Sequence, residues 1–467
     1  MRTNPILNTD SYKASHWLQY PPKTEGVFSY IESRGGKYDK LVFFGLQMFL
    51  KEYMSQSVTV QDVEEAAVFW AAHGEPFNKE GWLKLVEKYG SAPTNWPVRI
   101  RAVPEGTVVP TSNVLVTVEN TDPEFFWLTS YLETAILRAV WYPTTVATQS
   151  WHIKQLIKKS LEETGDPAGI GFKLHDFGAR GVSSYESAGI GGAAHLVNFL
   201  GTDTVTGALF AMRYYDTKDM VAFSIPAAEH STITSWGREN EAKAYENMIK
   251  QYAKPGTLVA VVSDSYDIYN AVDKIWGDQL RQQVVDSGAI VVVRPDSGHP
   301  ATVVLQVARL LDAKFGSTVN EKGYKVLNNV RIIQGDGINP DSIKEILAWL
   351  NSAHYSTDNI AFGMGGMLLQ GINRDTLKFA MKCSAIKIDG AWRDVYKDPV
   401  TDSGKVSKRG RLSLFKDPTS GEFVTERVAD YTKKQAHGRA EELVTVYENG
   451  KLLKEYTFAE VRARSEV

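Results

Sequence analysis

The sequence predicts an α/β protein: a closed or nearly closed α/β barrel, with an accessory part of strands and helices drawn from both ends of the chain. Three observations carry this. Between about residues 170 and 366, at least five short apolar runs end abruptly in polar or glycine residues. Amphipathic segments separate the runs, and strand–helix alternation means parallel strands joined by crossovers. The regions before about 165 and after about 385 have a different texture, with alternating β-branched residues, turn signals and aromatic helices.

Taken in order, residues 61–89 read as helices, since "VEEAAVFWAA" and "GWLKLVEKY" carry apolar residues at helical spacing. In "WPVRIRAVPEGTVVPTSNVLVTVENTDPE" alternating β-branched residues are broken by Pro-Glu-Gly and Thr-Ser-Asn, the pattern of a small antiparallel β unit. Residues 125–165 return to helix. The barrel strands are then expected in "FKLHDFG", "TLVAVVSDS", "AIVVVRPDSG", "NVRIIQGDG" and "NIAFGMGG". Continuous runs such as "AIVVV" fit strands covered on both faces. "PATVVLQVARLLDAKFG" and "PDSIKEILAWLNSA" are amphipathic helices between them. At the C-terminal end, "LVTVYENGKLLKEYTF" reads as a hairpin turning at Asn-Gly. The expected domains are 1–165, 166–384 and 385–467, the last returning to the first.

The 467 residues are too many for one ordinary core. Net charge is −3, and no long basic run points to nucleic acid. Cys383 is the single cysteine, so no internal disulfide forms, which fits a reducing compartment. No signal-peptide core or membrane-length apolar stretch is read, and the expectation is a cytoplasmic protein.

In a barrel the active site lies at the C-terminal ends of the strands. There the sequence places Asp264, Arg294, Asp296, Asp336 and the pair Gly365–Gly366. Arg180 and Arg294 are permanently charged planar donors suited to phosphate. Exposed N–H groups in "FGMGG" can cradle phosphate, and carboxylates suit sugar hydroxyls or hydrated magnesium. Together they describe a phosphorylated sugar with more than one phosphate group. Each element also has a plainer reading. Asp336, between Gly335 and Gly337, fits a turn, Asp264 a helix N-cap, and "FGMGG" a tight turn. "SAGIGGAAH" lacks the Rossmann spacing and fits a close-packed helix start. "SKRGR" at 407–411 reads as a solvated loop. The triplet Asp176-Phe177-Gly178 spells the magnesium-binding motif of protein kinases, but no glycine-rich loop, strand lysine or H-R-D loop precedes it.

The motifs "NTDSYKASHWLQYPP", "FSYIESRGG", "FFGLQ", "HDFGARGVSS", "GTDTV", "IPAAEHSTIT", "VSDSYDIYNA", "VRPDSGHP", "IIQGDG", "IAFGMGG" and "KRGRLSLF" occur in this order. In that respect the chain resembles the nicotinamide phosphoribosyltransferase family over nearly its whole length. The resemblance implies an irregular α/β barrel of the type II phosphoribosyltransferase kind and a homodimer with shared active sites. It implies transfer of the phosphoribosyl group of phosphoribosyl pyrophosphate to nicotinamide, giving nicotinamide mononucleotide and pyrophosphate. Mg²⁺ is the implied metal, and ATP the implied coupled nucleotide.

By resemblance, Phe177 matches the aromatic on which the pyridine ring stacks, and Tyr12 the opposite face, supplied by the other subunit. Asp203 matches the carboxylate that accepts from the carboxamide; a carboxylate there repels nicotinate. Arg180, His230 and Arg294 match the pyrophosphate contacts, Arg294 also bordering the base. Asp296 and Asp336 match the ribose contacts. Gly335, Gly365, Gly366, Arg374 and Lys382 belong to the ribose and 5′-phosphate pocket. His230, Asp296 and Arg294 are the implied catalytic set, His230 accepting phosphate from ATP, and Asp264 is a candidate near the metal.

The chain departs from the family at Ala260, where members carry a serine near the carboxamide; one lost hydrogen bond costs on the order of 1 kcal/mol. Ala179 stands where a larger aromatic is expected, and the 34–41 loop is short. Three rivals are weighed. A nicotinate phosphoribosyltransferase differs only in specificity. A phosphosugar isomerase or aldolase needs a Schiff-base lysine or an acid–base pair at a strand end, and the strand ends named above show no lysine. An inactive signalling or binding protein on this scaffold would have lost His230, Arg294 or Asp296, which are all present.

Overall fold

The computed structural model describes residues 4–90, 96–401, 406–428 and 438–466. The chain divides into two compact units. One comprises Met1–Thr148, Ala211–Thr217 and Asn373–Val467; the other comprises Gln149–Phe210 and Lys218–Ile372.

The first unit is built on a seven-stranded sheet. In spatial order its strands are Ala391–Asp394, Phe379–Ile388, Thr24–Ser33, Val114–Asn120, Val98–Ala102, Val444–Glu448 and Lys451–Leu452. Both ends of the chain meet here, since Thr24–Ser33 pairs antiparallel with Phe379–Ile388, and Val98–Ala102 with Val444–Glu448. The accessory domain expected from the two chain ends is therefore present. Its last segment starts at Asn373, upstream of the 384/385 boundary read from the sequence, because Phe379–Ile388 finds its ladder partner in Thr24–Ser33. The hairpin turns at Asn449 and Gly450, with φ of 49° and 80°, the left-handed pair that an Asn-Gly turn favours. The helices Val60–His73 and Lys79–Tyr89 appear where helical spacing placed them, the first closed by a Thr59–Asp62 capping box. Trp82 is fully buried among Trp96, Trp127 and Tyr131, with ring centroids 6.0, 4.8 and 5.2 Å away. These edge-on contacts are the favoured aromatic geometry.

The second unit carries the parallel strands. In spatial order they are Leu174–Asp176, Ile360–Met364, Val330–Gln334, Ile290–Arg294 and Leu258–Val262, all pairing parallel. All five coincide with the predicted apolar runs. The helices Pro300–Phe315 and Pro340–Ser352 pack together beside them. Side chains alternate across a strand. Val259 and Val261 are buried on one side, while Ala260, Val292 and Ile333 cluster on the other with Phe177, Ile225 and Ala361.

Two short segments that the sequence reading took only as motifs complete the curl of the sheet. Asp176 bridges Thr202, Gly201 bridges Phe223, and Ala227 bridges Ala260, all parallel. Asp176 N–H donates to Gly201 O at 3.3 Å and Thr202 N–H to Phe223 O at 3.1 Å. Ala228 N–H donates to Ala260 O at 2.9 Å. The ring thus runs from the Leu174–Asp176 strand through residues 201–202 and 223–227 to the Leu258–Val262 strand. It is an irregular barrel, five of its seven wall segments being regular strands. Ordinary (β/α) barrels fill their interior with layers of large side chains. Here Ala260 and Ala361 leave a lumen of about 720 Å³.

Candidate functional site

The site is assembled where the strands end. At the close of Leu174–Asp176 the chain turns sharply. Asp176 is fully buried, and its Oδ1 accepts from Gly178 N–H at 2.7 Å. Burial pushes its carboxyl up to about 6. Asp176 is thus a turn brace, and the kinase-like triplet is a coincidence of letters. The turn presents Phe177, whose N–H donates to Met364 O at 3.0 Å. The ring packs directly against Gly363: a Cβ added there would come within 1.9 Å of it. Only a glycine in the Ile360–Met364 strand leaves room, and this residue was missed. A glycine inside a strand signals close approach of another group, but in "FGMGG" the two later glycines drew the phosphate reading. Gly181 and Gly366 are also in close approach, 2.9 Å from a Cβ placed at Gly181 to the Gly366 Cα.

The Arg294 guanidinium lies 5.4 Å from the Phe177 ring centroid, within cation–π reach. Its Nε and Nη2 donate to Asp296 Oδ1 at 3.1 and 2.9 Å. Burial pushes the Asp296 carboxyl up, against the downward pull of Arg294. A pocket of about 480 Å³ opens between these strand ends. It brings together Phe177, Arg180, Asp203, Arg294 and Asp296, with Gly335, Asp336 and Gly365 on its wall. Ala179 lies on the same wall, where a larger side chain would narrow it.

Beside it, His230 starts the short helix His230–Thr234. Its Nε2 lies 3.0 Å from Asp264 Oδ1. A carboxylate oxygen accepts, so Nε2 carries the proton and Nδ1 is the bare nitrogen of the neutral ring. Asp264 Oδ2 accepts from Asp296 N–H at 3.1 Å and from Ser297 Oγ at 2.6 Å. The Asp264 side chain is only 5 % exposed. With both oxygens engaged, Asp264 serves as an orienter of His230, a role the metal expectation did not include.

The barrel lumen meets this charged pocket at two residues, Phe177 and Asp203, which line both. The lumen is otherwise mostly apolar near that junction, with Ile225, Ala260, Val292 and Ile333 on its wall. His175 packs over Gly201, and burial holds its pKa below the ordinary imidazole value, so its ring is neutral at pH 7. At the start of the strands, burial pushes Lys173 down to about 8. Its ammonium nonetheless donates to the carbonyls of Thr357, Asp358 and Ile360 at 3.0, 3.1 and 3.0 Å. Lys173 therefore holds backbone together and is not a free amine for Schiff-base chemistry.

Tyr12, Arg374 and Lys382 fall in the first unit. Tyr12 is 54 % exposed, edge-on to His16 at 4.7 Å. Arg374 is exposed in the turn Arg374–Thr376, 3.7 Å from Asp375. Lys382 lies in Phe379–Ile388, where burial and the neighbouring Arg34 lower its pKa. Among the described residues no group of three or more His, Cys, Asp or Glu could hold a metal, and no helix is long and apolar enough to cross a membrane.

Comparison with known proteins agrees with this chemistry. Residues 172–451 match the nicotinate phosphoribosyltransferase (NAPRTase) family, and residues 4–100 match the nicotinamide phosphoribosyltransferase N-terminal domain. A nicotinamide phosphoribosyltransferase of Xanthomonas campestris pv. campestris (strain 8004) is 59 % identical over 465 residues, covering 99 % of this chain and 98 % of that one. One from Acinetobacter baylyi is 32 % identical over 497 residues, covering 99 % and 97 %. Among solved structures, nicotinate-nucleotide pyrophosphorylase from Pyrococcus furiosus superposes with a TM-score of 0.61 at 17 % identity, over 99 % of this chain and 94 % of that one. Human nicotinic acid phosphoribosyltransferase gives 0.56 at 16 % identity, over 98 % and 92 %. At such identities these two likenesses bear on the fold alone.

Proposed function

The chain belongs to the nicotinate phosphoribosyltransferase (NAPRTase) family, and from that premise we propose that it transfers the 5-phosphoribosyl group of phosphoribosyl pyrophosphate to nicotinamide. The products are nicotinamide mononucleotide and pyrophosphate, a salvage route to NAD. The observation that carries this is the junction of two unlike cavities at Phe177 and Asp203. A flat heterocycle fits the apolar side, a phosphorylated sugar fits the charged side, and the reacting atoms meet between them.

The pyridine nitrogen carries a lone pair at neutral pH, so it attacks the anomeric carbon without a general base. Its bond to that carbon forms as the bond to the pyrophosphate oxygen breaks, with positive charge building on the ribose. Arg180 and Arg294 stabilise the departing pyrophosphate, and Asp296 and Asp336 fix the ribose hydroxyls. Catalysis is then positioning and preorganised electrostatics. The Phe177 face and the Asp203 carboxylate hold the base, the latter accepting from the carboxamide. Magnesium usually binds through substrate phosphates with one or two carboxylates, and Asp296 and Asp336 provide such groups beside the pocket. Bound there, the ion would neutralise charge on the pyrophosphate.

The Gly363–Phe177 contact yields a direct test of the stacking role. Gly363→Ala is expected to push the ring from its place and raise KM for nicotinamide about tenfold, the upper end of what an aromatic stack contributes. An unchanged KM would remove Phe177 from the base site.

ATP coupling is part of the same reading. His230 Nδ1 attacks the γ-phosphorus of ATP, the bond to the β–γ bridging oxygen breaks, and ADP leaves; water later cleaves the P–N bond. The Nε2–Asp264 contact fixes the tautomer this requires. His230→Ala is expected to abolish labelling of the protein from [γ-³²P]ATP. Label retained in that variant places the phosphate elsewhere. We further assign Tyr12, Arg374 and Lys382 to a site shared across a homodimer, Tyr12 on the second face of the pyridine ring. Mixed dimers of Tyr12→Ala and Phe177→Ala chains test this: activity recovered on mixing supports sharing, and none contradicts it.

The function itself is tested by incubating the protein with phosphoribosyl pyrophosphate, Mg²⁺ and nicotinamide and identifying the mononucleotide by mass. Absence of nicotinamide mononucleotide overturns the reading.

A further inference from the structure

We propose that Ser224 is a positioning residue for base specificity: its hydroxyl holds the Asp203 carboxylate in the one orientation that leaves an oxygen free for the carboxamide. The proposal rests on the reading that Asp203 meets the carboxamide. Ser224 Oγ donates to Asp203 Oδ1 at 2.6 Å, so Oδ2 remains to accept from a ligand. Both residues line the lumen.

The two residues sit on the two short segments that close the barrel, and each backbone is pinned. Asp203 N–H donates to Asp176 O at 2.9 Å, and Asp203 O accepts from Val205 N–H at 3.1 Å. On the other segment, Phe223 N–H donates to Leu200 O at 2.7 Å, and Pro226 O accepts from Ala260 N–H at 3.0 Å. With both backbones fixed, the freedom left to Asp203 lies in its own side-chain torsions. An exposed aspartate samples several staggered rotamers; the Ser224 contact selects one. Ala260, on the adjacent strand, presents only a methyl group to this lumen, so it has no hydroxyl to contribute. Recognition of the amide group then depends on Asp203 more heavily than in a site with a serine at 260.

The test is steady-state kinetics of the full-length protein with saturating phosphoribosyl pyrophosphate and Mg²⁺, with nicotinamide and with nicotinate. Ser224→Ala is expected to raise KM for nicotinamide about tenfold, the scale of one hydrogen bond to a charged group, with kcat within about twofold. Its kcat/KM for nicotinate is expected not to fall. Ser224→Thr, which keeps the hydroxyl, should restore the nicotinamide KM. Should Ser224→Ala not fold, Ser224→Cys, close in shape with a weaker donor, reads the same constants. An unchanged nicotinamide KM overturns the proposal, and so does an equal loss for both bases, which marks a merely structural role. A parent protein that makes no nicotinamide mononucleotide overturns the functional reading and this proposal with it. A parent that makes it while the Ser224 variants behave alike overturns the proposal alone.

Discussion

Asp203→Ala is expected to lower kcat/KM for nicotinamide about a hundredfold while leaving that for nicotinate equal or higher. The carboxylate is an acceptor only, so it pairs with an amide N–H and opposes another carboxylate. A hydrogen bond to a charged group carries one to two powers of ten in an equilibrium constant. The loss should stand near the upper end because Ala260 offers no second hydroxyl on that wall. Removing the charge also lifts the repulsion that excludes nicotinate, so the two constants move apart. Asp203→Ser should behave similarly, with part of the nicotinamide loss recovered. The measurement is the ratio of the two kcat/KM values in parent and variant. A ratio unchanged within about twofold contradicts the role of Asp203.

Arg294→Ala is expected to cost about a thousandfold in kcat, the range seen when one preorganised electrostatic donor is deleted. Arg294 does three things at once. It lines the charged pocket, lies 5.4 Å from the Phe177 ring centroid, and donates twice to Asp296. Its loss leaves the Asp296 carboxylate half-buried beside Asp264 without its cation, a second cost. Arg294→Lys should recover little, since an ammonium cannot span Asp296 and a phosphate with a planar fork. The thermal midpoint should fall by only a few degrees, so that the kinetic loss is not one of folding. A kcat within about tenfold of the parent's would remove Arg294 from the reaction.

The five regular strands and their chemistry-bearing ends were legible because buried parallel strands are continuous apolar runs, and because polar residues interrupt those runs where a barrel site opens. Arg294 and Asp296 follow "IVVV", and Asp336 follows "VRIIQ", without any knowledge of the fold. The two closing segments were not legible as strands. Each contributes one or two paired residues, too few for a period of two to register, so "GTDTV" and "IPAAEHSTIT" read only as motifs. Thr24–Ser33 was hidden differently. Nine of its ten residues are buried, so no alternation marks it, and its partner Phe379–Ile388 lies some 350 positions away. The Gly363–Phe177 packing and the Ser224–Asp203 contact depend on register between elements that only the folded chain brings side by side. Asp264 shows the limit of residue chemistry: a carboxylate at a strand end suggests metal or cap, and only the positions of His230 and Ser297 reveal an orienter.

The central claim is that the cavity junction at Phe177 and Asp203 selects a carboxamide for phosphoribosyl transfer. One competition measures it most directly. The protein is given phosphoribosyl pyrophosphate and Mg²⁺ with equal concentrations of nicotinamide and nicotinate, and the two mononucleotides, which differ in mass, are quantified at early times. Their ratio is the ratio of the two kcat/KM values. The expected result is nicotinamide mononucleotide in large excess, with one pyrophosphate released per mononucleotide formed. Nicotinate mononucleotide in excess, or no mononucleotide at all, would contradict the account.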